Sequence, residues 1–312
     1  TNEGLVLRNE AGWVGEESLG SPVVHRYKSS GEWLMWFHGR GGGESPACAL
    51  PPISSGRVGL AKSTNGIDWE RVEGVGEGGS ILAENSDDWW SFDTAHVGLG
   101  DVVPLYGDVG DRSYETRGLP LAMYHFGGSE AVTEFRSLGV DRDGGVPSMD
   151  LRIGLAVSQG DGALWGRVEG DFPTGEIVSV DDAWDSAYVG WPSCCTVGDD
   201  RLLYYQALDV RTRKHAIGLA VAGSDTRFHK LSVEEPVFAG SGEFDFDAGG
   251  VSRRSVRKLG DTYHMWYEGL AADGKTHAIG LATSPDGRQW AVRGPDPVFA
   301  AADDDDAWDA GV

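Results

Sequence analysis

A chain of 312 residues, 40% hydrophobic and 24% charged, has the composition of a globular protein that buries a core. Its formal net charge of −23 excludes a general affinity for nucleic acid or anionic membranes, because a surface that binds phosphate must be basic. No apolar run reaches the roughly 18 residues of a membrane-spanning helix, so the sequence predicts no membrane insertion.

The N-terminus and the cysteines indicate little about function. The chain begins TNEGLVLRNE, without Met or a signal-like apolar segment, which predicts a processed or trimmed N-terminus and leaves a secreted and an organellar location open. The cysteines, Cys48, Cys194 and Cys195, have neither a disulfide framework nor a CxxC metal spacing. We expect the adjacent pair to pack within a strand, and no motif indicates a cofactor. The run Asp303–Asp306 lacks the spaced oxygens of a calcium loop, so we predict no metal site.

Four short motifs recur in the same order along the chain. The first has an Asp beside an aromatic residue: FDTAHVG (Phe92–Gly98), WDSAYVG (Trp184–Gly190), FDAGGVS (Phe246–Ser252) and, more faintly, EESLGSP (Glu16–Pro22). The second is an aromatic run: WLMWFHG (Trp33–Gly39), LAMYHFG (Leu121–Gly127), LLYYQA (Leu202–Ala207) and HMWYEG (His264–Gly269). The third contains Gly-Leu-Ala: RVGLAKS (Arg57–Ser63), RIGLAVS (Arg152–Ser158) and HAIGLA twice (His215–Ala220, His277–Ala282). The fourth is a turn followed by an aromatic residue: STNGIDWERV (Ser63–Val72), SQGDGALWGRV (Ser158–Val168), GSDTRFHKL (Gly223–Leu231) and SPDGRQWAV (Ser284–Val292).

These motifs predict strands, because they are short, rich in β-branched and aromatic residues, and bounded by Gly, Asn, Asp or Pro. Four strands per repeat, with NG and DG turns before the last, predict antiparallel meanders. A repeat of about 60 residues with four strands is typical of an all-β propeller in which each repeat is one blade. The predicted repeats, in one domain over 1–312, are approximately 13–90, 91–182, 183–245 and 246–306, with the start of a further repeat at 307–312.

The number of blades is open. Four repeats are complete, and AWDAGV at Ala307–Val312 begins a fifth. Either a fifth blade follows or the last segment closes a four-bladed ring; we favour five blades with the last incomplete. We expect Gly128–Asp150 to form an inserted loop, and the glycine of IGLA to permit close packing between sheets.

The combination of these motifs resembles the five-bladed propeller glycosidases, which are the arabinanase, levansucrase and invertase-like proteins and the related mannoside-phosphorylase group (glycoside hydrolase families 43, 32 and 130). The resemblance covers about Trp13 to Val312. It implies carboxylates on the inner strands around a funnel: an Asp as base or nucleophile, a Glu as acid, and an Asp that tunes the acid.

The carboxylates that the resemblance implies are not matched residue by residue. Ser21 stands before the first-repeat proline where an Asp is usual, and Trp191 stands before the proline of the third repeat, which has no EGP acid motif. The fourth repeat has Arg253 and Arg254 there. The second repeat keeps an acid nearby, Asp101, which together with Glu268 in HMWYEG is our catalytic candidate.

Other polar residues are candidate substrate ligands. His96, Trp191 and Arg253 each occur in one repeat, and a catalytic site breaks symmetry. The carboxylates that stand at equivalent positions before the inner strands are Asp93, Asp185, Asp247 and Asp309. Those four either form a cluster that binds a sugar, a cation or a basic partner, or accept backbone N–H bonds at the turn into each blade. The equivalent positions of His215 and His277 favour packing over metal ligation.

Three functions remain open. The first is a carbohydrate-active protein of the propeller glycosidase type, which hydrolyses or binds glycosides with an altered site. The second is a non-catalytic propeller that binds a glycan or a protein, and the third is another enzyme on the same fold. We predict the first, with a carbohydrate or another small molecule as the ligand, and keep a protein partner as the alternative.

Overall fold

The computed structural model describes residues 5–41, 55–133, 146–160, 162–181, 183–209, 211–223 and 226–300. The chain divides into two compact units. The first contains the residues up to Ser179 together with Gly190–Pro192, and the second contains Val180–Val189 and the residues from Ser193 onwards. The single domain expected over 1–312 stays a prediction.

The first unit holds two antiparallel meanders. Their strands are β1 (Ser18–Tyr27), β2 (Glu32–Arg40), β3 (Gly56–Ser63), β4 (Glu70–Val72), β5 (His96–Pro104), β6 (Ser113–Tyr114), β7 (Leu121–Gly128), β8 (Val132–Thr133), β9 (Val146–Pro147), β10 (Arg152–Ser158) and β11 (Gly166–Val168). The first meander is β1–β4, and the second has the order β11-β10-β7-β5. The short strand β6 pairs in parallel with β1, and β8 pairs with β9 within the inserted loop.

The strands of the next two meanders follow in the same order. They are β12 (Val189–Val197), β13 (Asp200–Asp209), β14 (Lys214–Ala222), β15 (His229–Lys230), β16 (Gly250–Leu259), β17 (Thr262–Leu270), β18 (His277–Ser284), β19 (Ala291–Val292) and β20 (Phe299–Ala300). The third meander is β12–β15 and the fourth is β16–β19, and one bridge between β14 and β16 joins their sheets. Two 3-10 turns, Glu77–Gly79 and Asp245–Asp247, are the helical segments of the described residues.

Neighbouring meanders within a unit meet through an aromatic side chain of a second strand. The indole N–H of Trp36 on β2 donates to the carbonyl of Gly162 at 2.9 Å. Gly162 lies in the turn before Trp165, and the ring centroids of Trp36 and Trp165 are 6.5 Å apart. In the second unit the Tyr204 hydroxyl donates to the carbonyl of Gly287 at 2.6 Å, and the ring centroids of Tyr204 and Trp290 are 6.0 Å apart. Trp165 and Trp290, the aromatic residues after these two turns, therefore pack on the preceding meander.

The glycine of the third strand has a different role from the one expected. A methyl group at Gly218 would lie 2.2 Å from Cζ of Tyr205, and one at Gly280 would lie 2.4 Å from Cζ of Tyr267. The glycine makes room for a ring of the adjacent strand in the same sheet, rather than for a neighbouring sheet. Gly59 accommodates Phe37 in the same way, at 2.3 Å.

The fourth meander differs from the others in exposure. Every residue of β7 is buried, whereas half-buried and buried residues alternate along β17. Alternation with a period of two means that one face of this strand is more accessible than the other. Glu268 lies on the more accessible face.

The all-β prediction and the four-stranded antiparallel meanders are confirmed for the described residues. The start of a fifth repeat at 307–312, Asp303–Asp306, Asp309 and Cys48 lie outside them. Cys194 and Cys195 are buried thiols of β12. In the described part of the chain, no helix is long and apolar enough to cross a membrane.

Replacing Gly218 by Ala should lower the free energy of unfolding by about 1–3 kcal/mol, because the added methyl group overlaps the Tyr205 ring. The ring has little freedom to move, since its hydroxyl donates to Asp185 at 2.9 Å. Urea denaturation followed by tryptophan fluorescence measures the change. Gly223→Ala is the matched control, because a methyl group there would have no atom within 4 Å. Equal effects of the two substitutions would contradict this account of the glycine.

Candidate functional site

The polar side chains of interest gather at one edge of each meander. The start of the first strand, the end of the second strand and the start of the third strand lie side by side there, as in the pairs Gly250–Leu270 and Leu270–His277. We call this edge of a meander its entry edge.

Glu268 lies at the entry edge of the fourth meander, on β17. Its Oε2 accepts a hydrogen bond from the Ser252 hydroxyl at 2.5 Å, and its Oε1 lies 2.8 Å from Nδ1 of His277. The side chains of Glu268 and His277 are 26% and 38% exposed, so both are accessible to a ligand. Ser252 immediately precedes Arg253, which is exposed on β16. Ser252, the residue before the predicted substrate-binding residue Arg253, therefore contacts Glu268, the predicted acid.

A second imidazole lies close to this carboxylate. Gln206 donates through Nε2 to the Tyr188 hydroxyl at 3.1 Å, and that hydroxyl lies 2.8 Å from Nδ1 of His215. When the hydroxyl donates onward, Nδ1 is the acceptor and Nε2 carries the proton. Burial lowers the pKa of His215, while the charge of Glu268 opposes that shift. In that tautomer, Nε2 of His215 is the N–H donor.

The second predicted catalytic residue, Asp101, has a different environment. Its side chain is 5% exposed and accepts two hydrogen bonds from the Arg112 guanidinium, both at 2.7 Å. Asp101 also accepts from the backbone N–H of Val102 at 2.8 Å. A buried bidentate ion pair holds a carboxylate ionised and occupies its lone pairs. These contacts favour a structural role for Asp101, whose predicted catalytic role stays a prediction.

The three described carboxylates before the inner strands share one arrangement: each contacts the second strand of its own meander. Nε2 of His125 lies 3.3 Å from Asp93, and the Tyr205 and Tyr267 hydroxyls each donate at 2.9 Å to Asp185 and Asp247 respectively. All three carboxylates are buried. This arrangement favours the structural alternative, in which each Asp fixes the segment that leads into its meander. The hydrogen-bond partners of these carboxylates include side chains as well as backbone N–H groups.

Cations of the fourth strand complete two of these contacts. Nε of Arg167 donates to Asp93 at 2.8 Å, and Nζ of Lys230 donates to Asp185 at 2.7 Å. Burial raises the pKa of Asp93, but the hydrogen bond from His125 and the charge of Arg167 outweigh it and hold that pKa well below its usual range. Burial raises the pKa of Asp185 to about 6, and Lys230 opposes the rise.

His96 and Trp191 belong to the first unit. His96 is buried, with Nε2 3.0 Å from the Ser148 carbonyl, and burial lowers its pKa. Trp191 is half-buried, and its ring centroid lies 4.6 Å from that of Phe126. Its φ of 46° is in the left-handed region, where a residue with a side chain is strained. Ser21, which precedes the proline of the first repeat, has a φ of 48°, so this conformation belongs to the repeat and the ligand roles of Trp191 and His96 stay predictions.

Sequence reasoning missed the partners of these residues. His215 and His277 were expected to pack, yet each bonds a polar side chain at an entry edge, and Ser252, Tyr188 and Arg112 were not singled out. The repeated HAIGLA phrase was the available signal, since it starts two third strands with a titratable side chain. Arg112 carries no signal of this kind, because it lies in the connection between β5 and β7.

No protein-family model matches the sequence, and no curated protein matches it. Solved structures of glycoside hydrolases are similar. A complex of BT0996 with RGII has a TM-score of 0.62 at 18% identity, over 91% of this chain and 75% of that protein. A GH130 structure, from the mannoside phosphorylase family whose glycoside hydrolases target β-1,2 mannosidic linkages in Candida mannan, has a TM-score of 0.63 at 11% identity, over 97% and 80%. Zg3597, a family 117 glycoside hydrolase from the marine bacterium Zobellia galactanivorans, has a TM-score of 0.57 at 12% identity, over 92% and 73%.

This chain has the fold of the propeller glycosidases. The resemblance drawn from the sequence motifs is thereby confirmed at the level of fold. Among the residues that the structure describes, no group of three or more His, Cys, Asp or Glu side chains is placed to hold a metal ion.

Asp101→Asn should lower the free energy of unfolding of this propeller-glycosidase fold by about 3–5 kcal/mol, because it leaves the Arg112 charge buried without its partner. The Arg112 side chain is 6% exposed. The double variant Asp101→Leu with Arg112→Met should recover part of the loss, and urea denaturation of both variants measures it. A change below about 0.5 kcal/mol in Asp101→Asn would mean that Asp101 is not held by the pair.

Asp185 should make stability depend on pH. Its folded pKa of about 6 lies above the unfolded value of roughly 3.9, so the folded state binds the proton more tightly. The contribution is fully present below the unfolded pKa and is lost as pH rises through the folded pKa. Asp185→Asn should therefore flatten the fall of unfolding free energy between about pH 4 and pH 6.5, measured by urea denaturation. An unchanged slope in Asp185→Asn would contradict the prediction.

Proposed function

We propose that this protein is a carbohydrate-active protein that binds a glycoside at the entry edge of the fourth meander, with Glu268 as the acid. The observation that carries the proposal is the accessible Glu268–His277 contact at 2.8 Å. Similarity to glycoside hydrolase structures supports carbohydrate as the ligand class, and one of the similar structures is itself a complex of BT0996 with RGII.

Cleavage of a glycosidic bond requires a proton at the leaving oxygen. Glu268 accepts a hydrogen bond from Ser252 and lies 2.8 Å from Nδ1 of His277, so it is held in one orientation at the edge of the sheet. From a His277 imidazolium, the Nδ1 proton would pass to Oε1 of Glu268, which leaves a neutral imidazole and a carboxyl group that donates the proton to the leaving oxygen. Asp101, by contrast, faces an arginine that keeps the carboxylate ionised, which suits it poorly to donate a proton.

A non-catalytic glycan-binding protein is the second candidate. Ser252 and His277, the partners of Glu268, include no second carboxylate, whereas hydrolysis by the usual mechanism needs two. The residues before the inner-strand prolines, Ser21 and Trp191, have no carboxyl group. The lack of a second carboxylate beside Glu268 favours a protein that binds a glycan without cleaving it, unless His277 takes the place of that carboxylate in the reaction.

Glu268→Gln should reduce the rate of glycoside cleavage by at least about 100-fold, because a positioned acid contributes a factor of that order. The assay is release of nitrophenolate from a panel of 4-nitrophenyl glycosides by the whole chain, with reducing-sugar release from plant and fungal polysaccharides in parallel. Glu243→Gln is the matched control, since Glu243 is an exposed carboxylate of the same unit that is not among the partners of Ser252 or His277.

The outcomes separate the candidates. Turnover that Glu268→Gln abolishes and Glu243→Gln preserves supports the enzyme. Binding of a glycan without turnover by the wild-type chain supports the second candidate. Turnover unchanged in Glu268→Gln would remove Glu268 from the mechanism.

A further inference from the structure

The first unit contains a cavity of about 330 Å³ that none of the residues considered above explains. It lies between the segment before β1, the 3-10 turn Glu77–Gly79 and the start of β3. Its volume is within the range of small-molecule sites, which begins at roughly 300 Å³. Its apolar side chains are those of Trp13, Val14 and Ala95. Its polar side chains are those of Glu16, Ser55, Arg57, Glu77 and Glu84.

Arg57 is held rigidly in this cavity. Its Nε and Nη2 donate to the two oxygens of Glu84 at 3.0 and 2.8 Å, and Nη2 also lies 2.9 Å from Glu77. A guanidinium has five N–H donors in a fixed plane, and this arrangement engages Nε and Nη2. Nη1 makes no hydrogen bond to any described residue, so its two N–H groups remain for a ligand. A fixed donor pair loses little entropy when it binds.

The remaining lining supplies an apolar surface and an acceptor. Trp13 is half-buried, and a methyl group at Gly79 would lie 2.5 Å from its ring, so glycine backbone lies directly against the indole. Glu16 accepts from the backbone N–H of Gly12 through Oε2 at 2.8 Å, and its other oxygen has no partner among the described residues. An aromatic face beside fixed donors and acceptors matches a ligand that has an apolar face and a rim of hydroxyl groups.

The charge of the cavity limits the ligand further. Glu16, Glu77 and Glu84 oppose the single positive charge of Arg57, so the lining is negative overall. An anionic ligand would meet net repulsion, because like charges at short range disfavour binding. A neutral ligand meets no such penalty.

We propose that this cavity binds one neutral pyranose unit, with a sugar face on Trp13, hydroxyl oxygens on Nη1 of Arg57, and a hydroxyl donor to Glu16. This binding site is separate from Glu268 and does not depend on the proposed acid. It would give the protein a second point of attachment to a glycan, whether or not the protein cleaves it.

The test is saturation-transfer NMR and titration of the whole chain with the methyl pyranosides of glucose, galactose and mannose. At least one should bind the wild type with a Kd of about 1 mM, as expected of a small ligand with few contacts. Trp13→Ala and Arg57→Lys should each weaken that binding by about tenfold, since the first removes the stacking face and the second the planar fork. Glucuronate should bind more weakly than methyl glucoside.

Matched controls keep the test specific. Trp89→Ala removes an 87% exposed tryptophan of the same unit that does not line the cavity. Arg152→Lys changes the arginine at the equivalent start of β10. Both should leave binding within about twofold of wild type, and thermal unfolding of Trp13→Ala and Arg57→Lys should show that each variant folds.

Three results would overturn the proposal. One is the absence of binding by all three methyl pyranosides at about ten times the expected Kd. Another is binding that Trp13→Ala and Arg57→Lys leave unchanged, or that Trp89→Ala weakens equally. A third is binding lost in Glu268→Gln and retained in Trp13→Ala, which would place the sugar at the proposed acid and so support the proposed function instead.

Discussion

The contact between a third-strand glycine and a second-strand aromatic ring underlies the repeat. Because the ring occupies the space of a side chain, the third strand must have glycine at that position, and the neighbouring positions keep apolar residues for the core. In two meanders the ring is a tyrosine whose hydroxyl bonds a buried Asp of the leading segment. The same side chain therefore joins three parts of one meander, which explains why the aromatic run, the Gly-Leu-Ala phrase and the Asp recur together.

This linkage changes how the symmetric carboxylates are interpreted. Asp93, Asp185 and Asp247 occupy equivalent places because each one fixes the segment before its first strand, with a cation of the fourth strand beside two of them. A buried carboxylate that already bonds its own meander is poorly accessible to an incoming ligand, although Oδ1 of Asp185 has no hydrogen-bond partner among the described residues. Residues that differ between repeats, such as Glu268 and Trp191, are free of this structural demand and are better placed to have diverged for binding.

Much of the fold could be predicted from the sequence, because strand length, turn residues and the order of motifs are local properties of the chain. The candidate site could be predicted only in part. Glu268 was recognised as a carboxylate at a strand end, but its contact with His277 depends on the register between β17 and β18, which sets which side chains face each other. The partner of Asp101 could not be predicted, since Arg112 reaches it from a connection whose path no motif specifies. The role of the glycine was misassigned for a similar reason: the sequence shows that a side chain is absent, and not which neighbour occupies the space.

The nature of the partner distinguishes the two predicted catalytic carboxylates more than their burial does. An arginine stays charged across the physiological pH range, so Arg112 stabilises the ionised form of Asp101. A histidine exchanges a proton near neutral pH, so a carboxylate beside it can take up and release one without a lasting charge imbalance. Glu268 has such a partner and is open to solvent, whereas Asp101 has neither property. The chemistry of these partners is why we propose a proton-transferring role for the Glu268–His277 pair and favour a structural role for Asp101.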